Sequence, residues 1–265
     1  MRWLNIYLPF GILEVQKIFQ YNAWFWVGQL RNIIAMMIMT AFWAAIYAGQ
    51  NDLAGLSLTT TLNYVILARA LGNANASSVY WWMAEGISKG QLELEFLRPV
   101  DFQMMHLARE FSAWGLGLLL GLPSLLIGIF VFQAKLPTDP MAYLAFLITF
   151  FLGGIILFGF ELMLGCLGFY TTEMWGLSVL SGGIGMFLSG ALIPLEFMPE
   201  AVRNIANLTP FAQALYVPIS FLSGVRNPDQ LGSTVLLQLG LIIVFLTLSR
   251  IVFARAARVL TMQGG

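Results

Sequence analysis

Arg69, Asn73 and Ser77 stand at i, i+4 and i+8 in a stretch, about Ser57 to Val79, that is otherwise largely apolar. At helical spacing they fall on one face, with Asn63 about one wall further round. An arginine at bilayer depth costs about 3 kcal/mol on insertion scales, so such groups face a bundle interior or a hydrated cavity. The chemistry open to this stripe is solvation of a polar group at membrane depth. Glu161, in a second apolar stretch, can serve as counter-charge to Arg69 or hold a proton or a cation. Asn63, Arg69, Asn73, Ser77 and Glu161 are therefore candidates for lining a path. The alternative is that Arg69 is neutralised structurally by Glu161, and depth and charge predict that pair.

Bond-breaking chemistry has little to work with. Ser189-Gly190 and Ser223-Gly224 offer nucleophile-like pairs, but the single His106 is expected at the opposite membrane face. A Ser–His pair needs hydrogen-bond reach of about 3 Å. One Cys (Cys166) and one His exclude an all-thiolate or His-rich metal site and a disulfide scaffold. A phosphate-binding P-loop needs Gly-Lys-Ser/Thr, whereas Lys17, Lys89 and Lys135 follow Gln, Ser and Ala. No cofactor is expected in this chain, and ATP binding would have to be supplied in trans.

The elements that must position these residues are membrane helices. Of 265 residues, 59% are apolar and only 10% charged, with mean hydropathy +0.81; a soluble domain is about a quarter charged. Thirteen cations cancel thirteen anions, so nothing in the charge points to nucleic acid. The predicted class is all-α and polytopic. Six apolar runs approach the roughly 20 residues that cross a bilayer, at about 23–48, 57–79, 111–132, 143–168, 174–193 and 234–253. Continuous runs exclude the short alternating strands of a membrane barrel.

Arg2, Lys17, Arg31, Lys89, Arg98, Arg109, Arg250, Arg255 and Arg258 fall on one side of this topology, against Lys135, Arg203 and Arg226 on the other. The positive-inside rule then places both termini in the cytoplasm, in a cell (inner or plasma) membrane. Glu14, Gln16 and Lys17 interrupt the N-terminal stretch, so no cleavable signal is expected. About 9–21 reads as an amphipathic interfacial helix, Phe10, Leu13, Ile18 and Phe19 against Glu14, Lys17 and Gln20. Trp24, Trp26, Trp81 and Trp82 suit aromatic belts, and His106 suits the headgroups.

Two connections are long enough to hold structure. In the first, 86–99, a short helix should end near Pro99, with Leu92 and Phe96 on one face and Glu93, Glu95 and Arg98 facing water or a partner. The second, 194–230, is too apolar for a free loop, yet Pro194, Pro199, Pro210 and Pro218 forbid one straight helix. Broken helices re-entering the bilayer satisfy both facts, provided protein or a hydrated cavity covers them. Ahead of it, Ser181, Gly185 and Ser189 form a small-residue stripe suited to close helix packing, and Gly117 and Gly121 suit packing alone.

Gly190-x-x-x-Pro194-Leu-x-x-x-Pro199, the amphipathic run after it and Pro210-Phe211 together resemble the permease subunits of ABC-2 type transporters. The loop from Ile87-Ser-Lys-Gly90 to Leu97-Arg-Pro-Val100 is similar to a branch of about 260-residue, six-span permeases. The resemblance implies an exporter subunit that is not itself an ATPase. It implies a second permease (identical or paralogous), nucleotide-binding ATPase subunits carrying ATP and Mg2+, and a bilayer as partners. It further implies coupling to the ATPase through about 9–21 and 86–99, carried over to Glu14, Lys17, Lys89, Glu93, Glu95 and Arg98. Pro194, Pro199, Pro210 and Phe211 would shape an outer cap. Non-transport scaffold or channel roles are the alternative. Charge reversal at both Glu93 and Glu95 is expected to weaken substrate-stimulated ATPase activity while leaving membrane insertion intact.

Overall fold

A computed structural model describes residues 7–13, 16, 22–50, 52–72, 74–90, 92, 95, 98–171 and 173–263. Glu14, Lys17, Asn73 and Glu93 lie outside the described residues. Residues 7–13 are helical. The first long helix is α1 (Asn22–Ile46). A two-residue turn then joins β1 (Asp52–Leu53) to β2 (Leu56–Ser57), pairing Asp52 with Ser57 and Leu53 with Leu56. Ala54 and Gly55 both take positive φ, as the twist of so short a hairpin demands. Ser57 then accepts from the Thr60 amide and starts α2 (Leu58–Leu71).

The second apolar run is not one helix. α2 stops at Leu71, residues 72 and 74–78 are not helical, and α3 (Val79–Ser88) resumes. α4 (Phe102–Phe130) begins nine residues before its expected start, because Asp101 caps it by accepting from the Met104 amide. Pro123 inside α4 removes one backbone donor. Alongside, Gln29 of α1 donates to the Leu120 carbonyl at 2.8 Å, and Ser124 donates back to Gln29. α5 (Pro140–Gly165) is capped by Asp139, with proline at its first turn.

Next comes α6 (Met174–Leu188), followed by a 3-10 turn at Leu195–Phe197 and three short helices: α7 (Glu200–Asn207), α8 (Pro210–Ala214) and α9 (Tyr216–Ser223). Pro194 and Pro199 each stand immediately before one of these pieces and Pro210 opens α8, so the prolines divide the segment. The last helix is α10 (Leu231–Gln263). Among the described residues, four helices are long and apolar enough to cross a bilayer, within α1, α4, α5 and α10. α6, at 15 residues, rises only about 22 Å, short of the roughly 30 Å core.

Every residue of α9 is buried. The α8–α9 segment packs against α5 and α2. Gly153 of α5 makes that approach possible, since a β-carbon there would fall 2.1 Å from the Gln213 carbonyl oxygen. The Pro-rich segment is therefore part of the core.

The break in the second span sits against α4, where a β-carbon on Gly117 would fall 2.4 Å from the Ala74 carbonyl oxygen. Asn75 holds the break on its other side, donating to the Ala214 carbonyl at 2.7 Å and the Phe150 carbonyl at 3.3 Å. Asn75→Leu keeps the branched shape in a somewhat larger side chain and removes both bonds, so a loss of about 2–3 kcal/mol is expected, read as an earlier thermal or denaturant transition of the purified chain.

Candidate functional site

Three groups of polar side chains surround the interrupted span. At the break, Glu110 of α4, only 3% exposed, accepts from the Ser78 amide and the Ser78 hydroxyl at 2.9 Å each and from the Ser77 hydroxyl at 3.3 Å. A carboxylate at the start of α3 satisfies donors left over by the helix end and opposes its positive dipole. Glu110 falls just before the apolar run at about 111–132; the early start of α4 carries it inside the helix. The charge itself was visible in the sequence, but its partner, a helix end created by the break, was not.

The second group lines a cavity of about 240 Å³ between α3, α5 and α6, walled by Ser77, Tyr80, Trp81, Glu161, Ser181 and Phe211 among others. Five residues predicted for a path (Ser77, Glu161), for close packing (Ser181, Gly185) or for the cap (Phe211) thus meet in one place. At Gly185 a β-carbon would fall 2.8 Å from the Phe211 ring. Phe211 also packs edge-on against Phe160 at 5.1 Å. The stripe of α6 receives the Pro-rich segment as much as it receives a helix.

Arg69 does not join them. It donates to the Ala191 carbonyl at 3.2 Å, and it forms no ion pair with Glu161. The reason is the break: once the helix ends at Leu71, Arg69 and Ser77 no longer share a face. Nearby, Tyr64 donates to the Gly190 carbonyl at 3.0 Å. Gly190 has φ +73°, and a β-carbon there would lie 2.6 Å from the Tyr64 hydroxyl. Asn63 is likewise committed, accepting from the Lys135 amide at 2.9 Å. These residues fasten α2 to the turn after α6 and to the loop after α4.

The third group lies at the basic end of the bundle. Glu95 Oε1 is 3.4 Å from Arg109 and 3.6 Å from Arg98, and Glu95 Oε2 is 3.8 Å from His106 Nε2. The guanidinium groups of Arg98 and Arg109 lie 5.7 and 5.5 Å from the ring centre of Phe10, in the N-terminal helical segment, and Arg109 is 5.8 Å from Trp82. His106, 3% exposed, lies between Trp82 at 4.2 Å and Phe102 at 4.5 Å, and Phe102 stacks on Phe253 of α10. Close by, Asp101 pairs with Arg250 at 2.5 Å.

This cluster corrects three expectations. His106 is not among headgroups, Trp82 is not in an outward belt, and Glu95 faces the protein interior. All three follow from α4 beginning at Phe102, which supplies cations and rings that draw the loop onto it. Lys89, by contrast, pairs with Glu85 at 2.5 Å on the surface. The ammonium hydrogen bond and charge hold the Glu85 carboxyl below its ordinary value, but so exposed a pair organises little.

A family model described as ABC-2 family transporter protein matches residues 33–264, most of the chain. The chain belongs to the ABC-2 transporter family. Comparison with curated proteins and with solved structures gives no match. This ABC-2 protein is accordingly a polytopic membrane protein of a transport family, in agreement with its long apolar helices.

Within the ABC-2 chain the residues considered for hydrolysis are placed apart. The Ser189 hydroxyl accepts from the Ala191 amide at 3.3 Å, and Ser223 donates to the Ser220 carbonyl at 3.3 Å, while His106 belongs to the Glu95 cluster. Among the described residues no grouping of His, Cys, Asp or Glu is arranged to hold a metal ion. Removing the anion at the centre of the basic-end cluster should release the loop. Glu95→Gln leaves two guanidinium groups facing each other, so trypsin cleavage after Lys89 in membranes is expected to accelerate severalfold.

Proposed function

We propose that this chain is the membrane-spanning permease subunit of an ATP-driven exporter, working with a second permease and with separate nucleotide-binding ATPase subunits. The observation that carries the reading is the Glu95 cluster. It ties the N-terminal helical segment, the 86–99 loop, α4 and α10 into one unit at the end of the bundle where Lys and Arg gather. A force applied to the loop or the N-terminal segment is thereby delivered to a long membrane helix. Family membership supplies the transport context.

The basic end is the cytoplasmic one in this reading, with both termini there, as the positive-inside rule favours. Six crossings result if the divided second run and the short α6 each count as a span. The exposed apolar faces of α1 (Trp26, Leu30, Met37) and α6 (Leu180, Ile184, Phe187) suit lipid or the second permease. The path lies beside the interrupted span, where Ser77, Glu161 and Ser181 already face one cavity. A largely apolar path with few polar groups suits a hydrophobic or amphipathic substrate.

The test is isolation of the chain from membranes under mild detergent, followed by reconstitution. Co-purification of a nucleotide-binding ATPase, and transport into vesicles that stops without ATP, is the expected result. A chain that brings down no such subunit and moves solute without ATP is a channel or scaffold, and overturns the reading.

A further inference from the structure

Glu161 presents an unusual electrostatic situation. It projects from α5, a helix apolar enough to span the membrane, into the cavity between α3, α5 and α6. Among the described residues it has neither a hydrogen-bond nor an ion-pair partner. The arginine that would neutralise it donates to Ala191 instead, and no Lys, Arg or His lines the cavity. Glu110, close enough to act on Glu161 electrostatically, adds further negative potential. A carboxylate left alone in a low-dielectric region is costly unless something positive completes it.

The walls indicate what that is. Tyr80, Trp81 and Phe211 bring three aromatic rings to the same space as Glu161. Ring faces attract cations that have shed their water. The Ser181 hydroxyl adds one adaptable polar group, while that of Ser77 is held by Glu110. At about 240 Å³ the cavity is below the roughly 300–1,000 Å³ of sites that enclose a drug-sized ligand. It suits a compact head group better than a whole molecule. Trp81 is half exposed and Gly182 is exposed at the rim, so a tail can leave the cavity toward the apolar surroundings.

We infer that this cavity is a binding site for the cationic head group of an amphiphile, with the Glu161 carboxylate as counter-ion and the Tyr80, Trp81 and Phe211 rings as its walls. The inference rests on the exporter reading for its purpose and narrows the substrate class to organic cations. Binding itself requires no ATPase.

The experiment measures binding of phenyltrimethylammonium, whose head group is compact enough for the cavity, and of its neutral isostere tert-butylbenzene, to the purified full chain by equilibrium dialysis. The expected result is saturable binding of the cation that weakens about tenfold in Glu161→Gln, the loss of roughly one charge-assisted contact. Glu161→Asp should retain most of it, which excludes a merely misfolded variant. Trp81→Leu should weaken the cation and leave the neutral compound unchanged. Equal binding of cation and neutral compound, or cation binding unmoved by Glu161→Gln, overturns the site; the second result means that Glu161 carries a proton instead. Cation binding without ATP-dependent transport supports the site while removing the exporter reading, so the two failures are distinguishable.

Discussion

A helix that stops inside an apolar bundle leaves backbone donors and acceptors in need of partners, and each one left unpaired in an apolar medium costs several kcal/mol. The break at 72–78 is therefore the constraint that the rest of this molecule answers. Glu110 takes the Ser78 amide and two hydroxyls. Asn75 reaches two carbonyls that belong to other elements, Phe150 of α5 and Ala214 of α8. Gly117 lets α4 close against the break. Net gains of about 1 kcal/mol per hydrogen bond are modest; the penalty avoided is larger, and it dictates which helices must be neighbours.

The same helix that braces the break also organises the basic end. His106, Arg109 and Glu110 lie within about one turn of α4. Two of them hold the 86–99 loop through Glu95, and the third holds the start of α3. Displacing α4 relative to α3 must either break the Glu110 bonds or carry α3 along. Ser77, Tyr80 and Trp81, at and just beyond that junction, line the Glu161 cavity. Movement at the basic end and the shape of the cavity are thus connected through a short chain of charged hydrogen bonds, which weaken steeply as their geometry opens.

The polar side chains around the break are divided accordingly. Arg69 and Asn63 are spent on backbone groups of the turn after α6 and the loop after α4, so they act as fasteners. Glu161 is kept apart from both, in a cavity that no Lys, Arg or His among the described residues lines. A polar stripe on one straight helix would have mixed the two signs along a single path; interrupting the helix separates them. The Pro-rich segment completes the separation, because Phe211 closes one side of the cavity while Tyr216, from the next short helix, bonds to Glu196 beyond it.

Composition and hydropathy alone determined that the chain is a helical membrane protein, because a run of apolar residues has no other stable place. The Pro-divided segment was legible too: proline lacks a donor and fixes its own φ, so local covalent geometry decides where a helix must end. The small residues at 181, 185 and 189 announced close packing for a similarly local reason. Pairings were not legible. Gly72, directly after Leu71, lets α2 end there, but no proline forces it; the break is held open because Gly117, Glu110 and the Phe150 and Ala214 carbonyls that receive Asn75 meet it from distant parts of the chain. From that one event follow the separation of Arg69 from Glu161, the inward turn of Glu95 and the burial of His106. Charge partners in a low-dielectric interior are chosen by three-dimensional proximity, and only the tertiary structure supplies it.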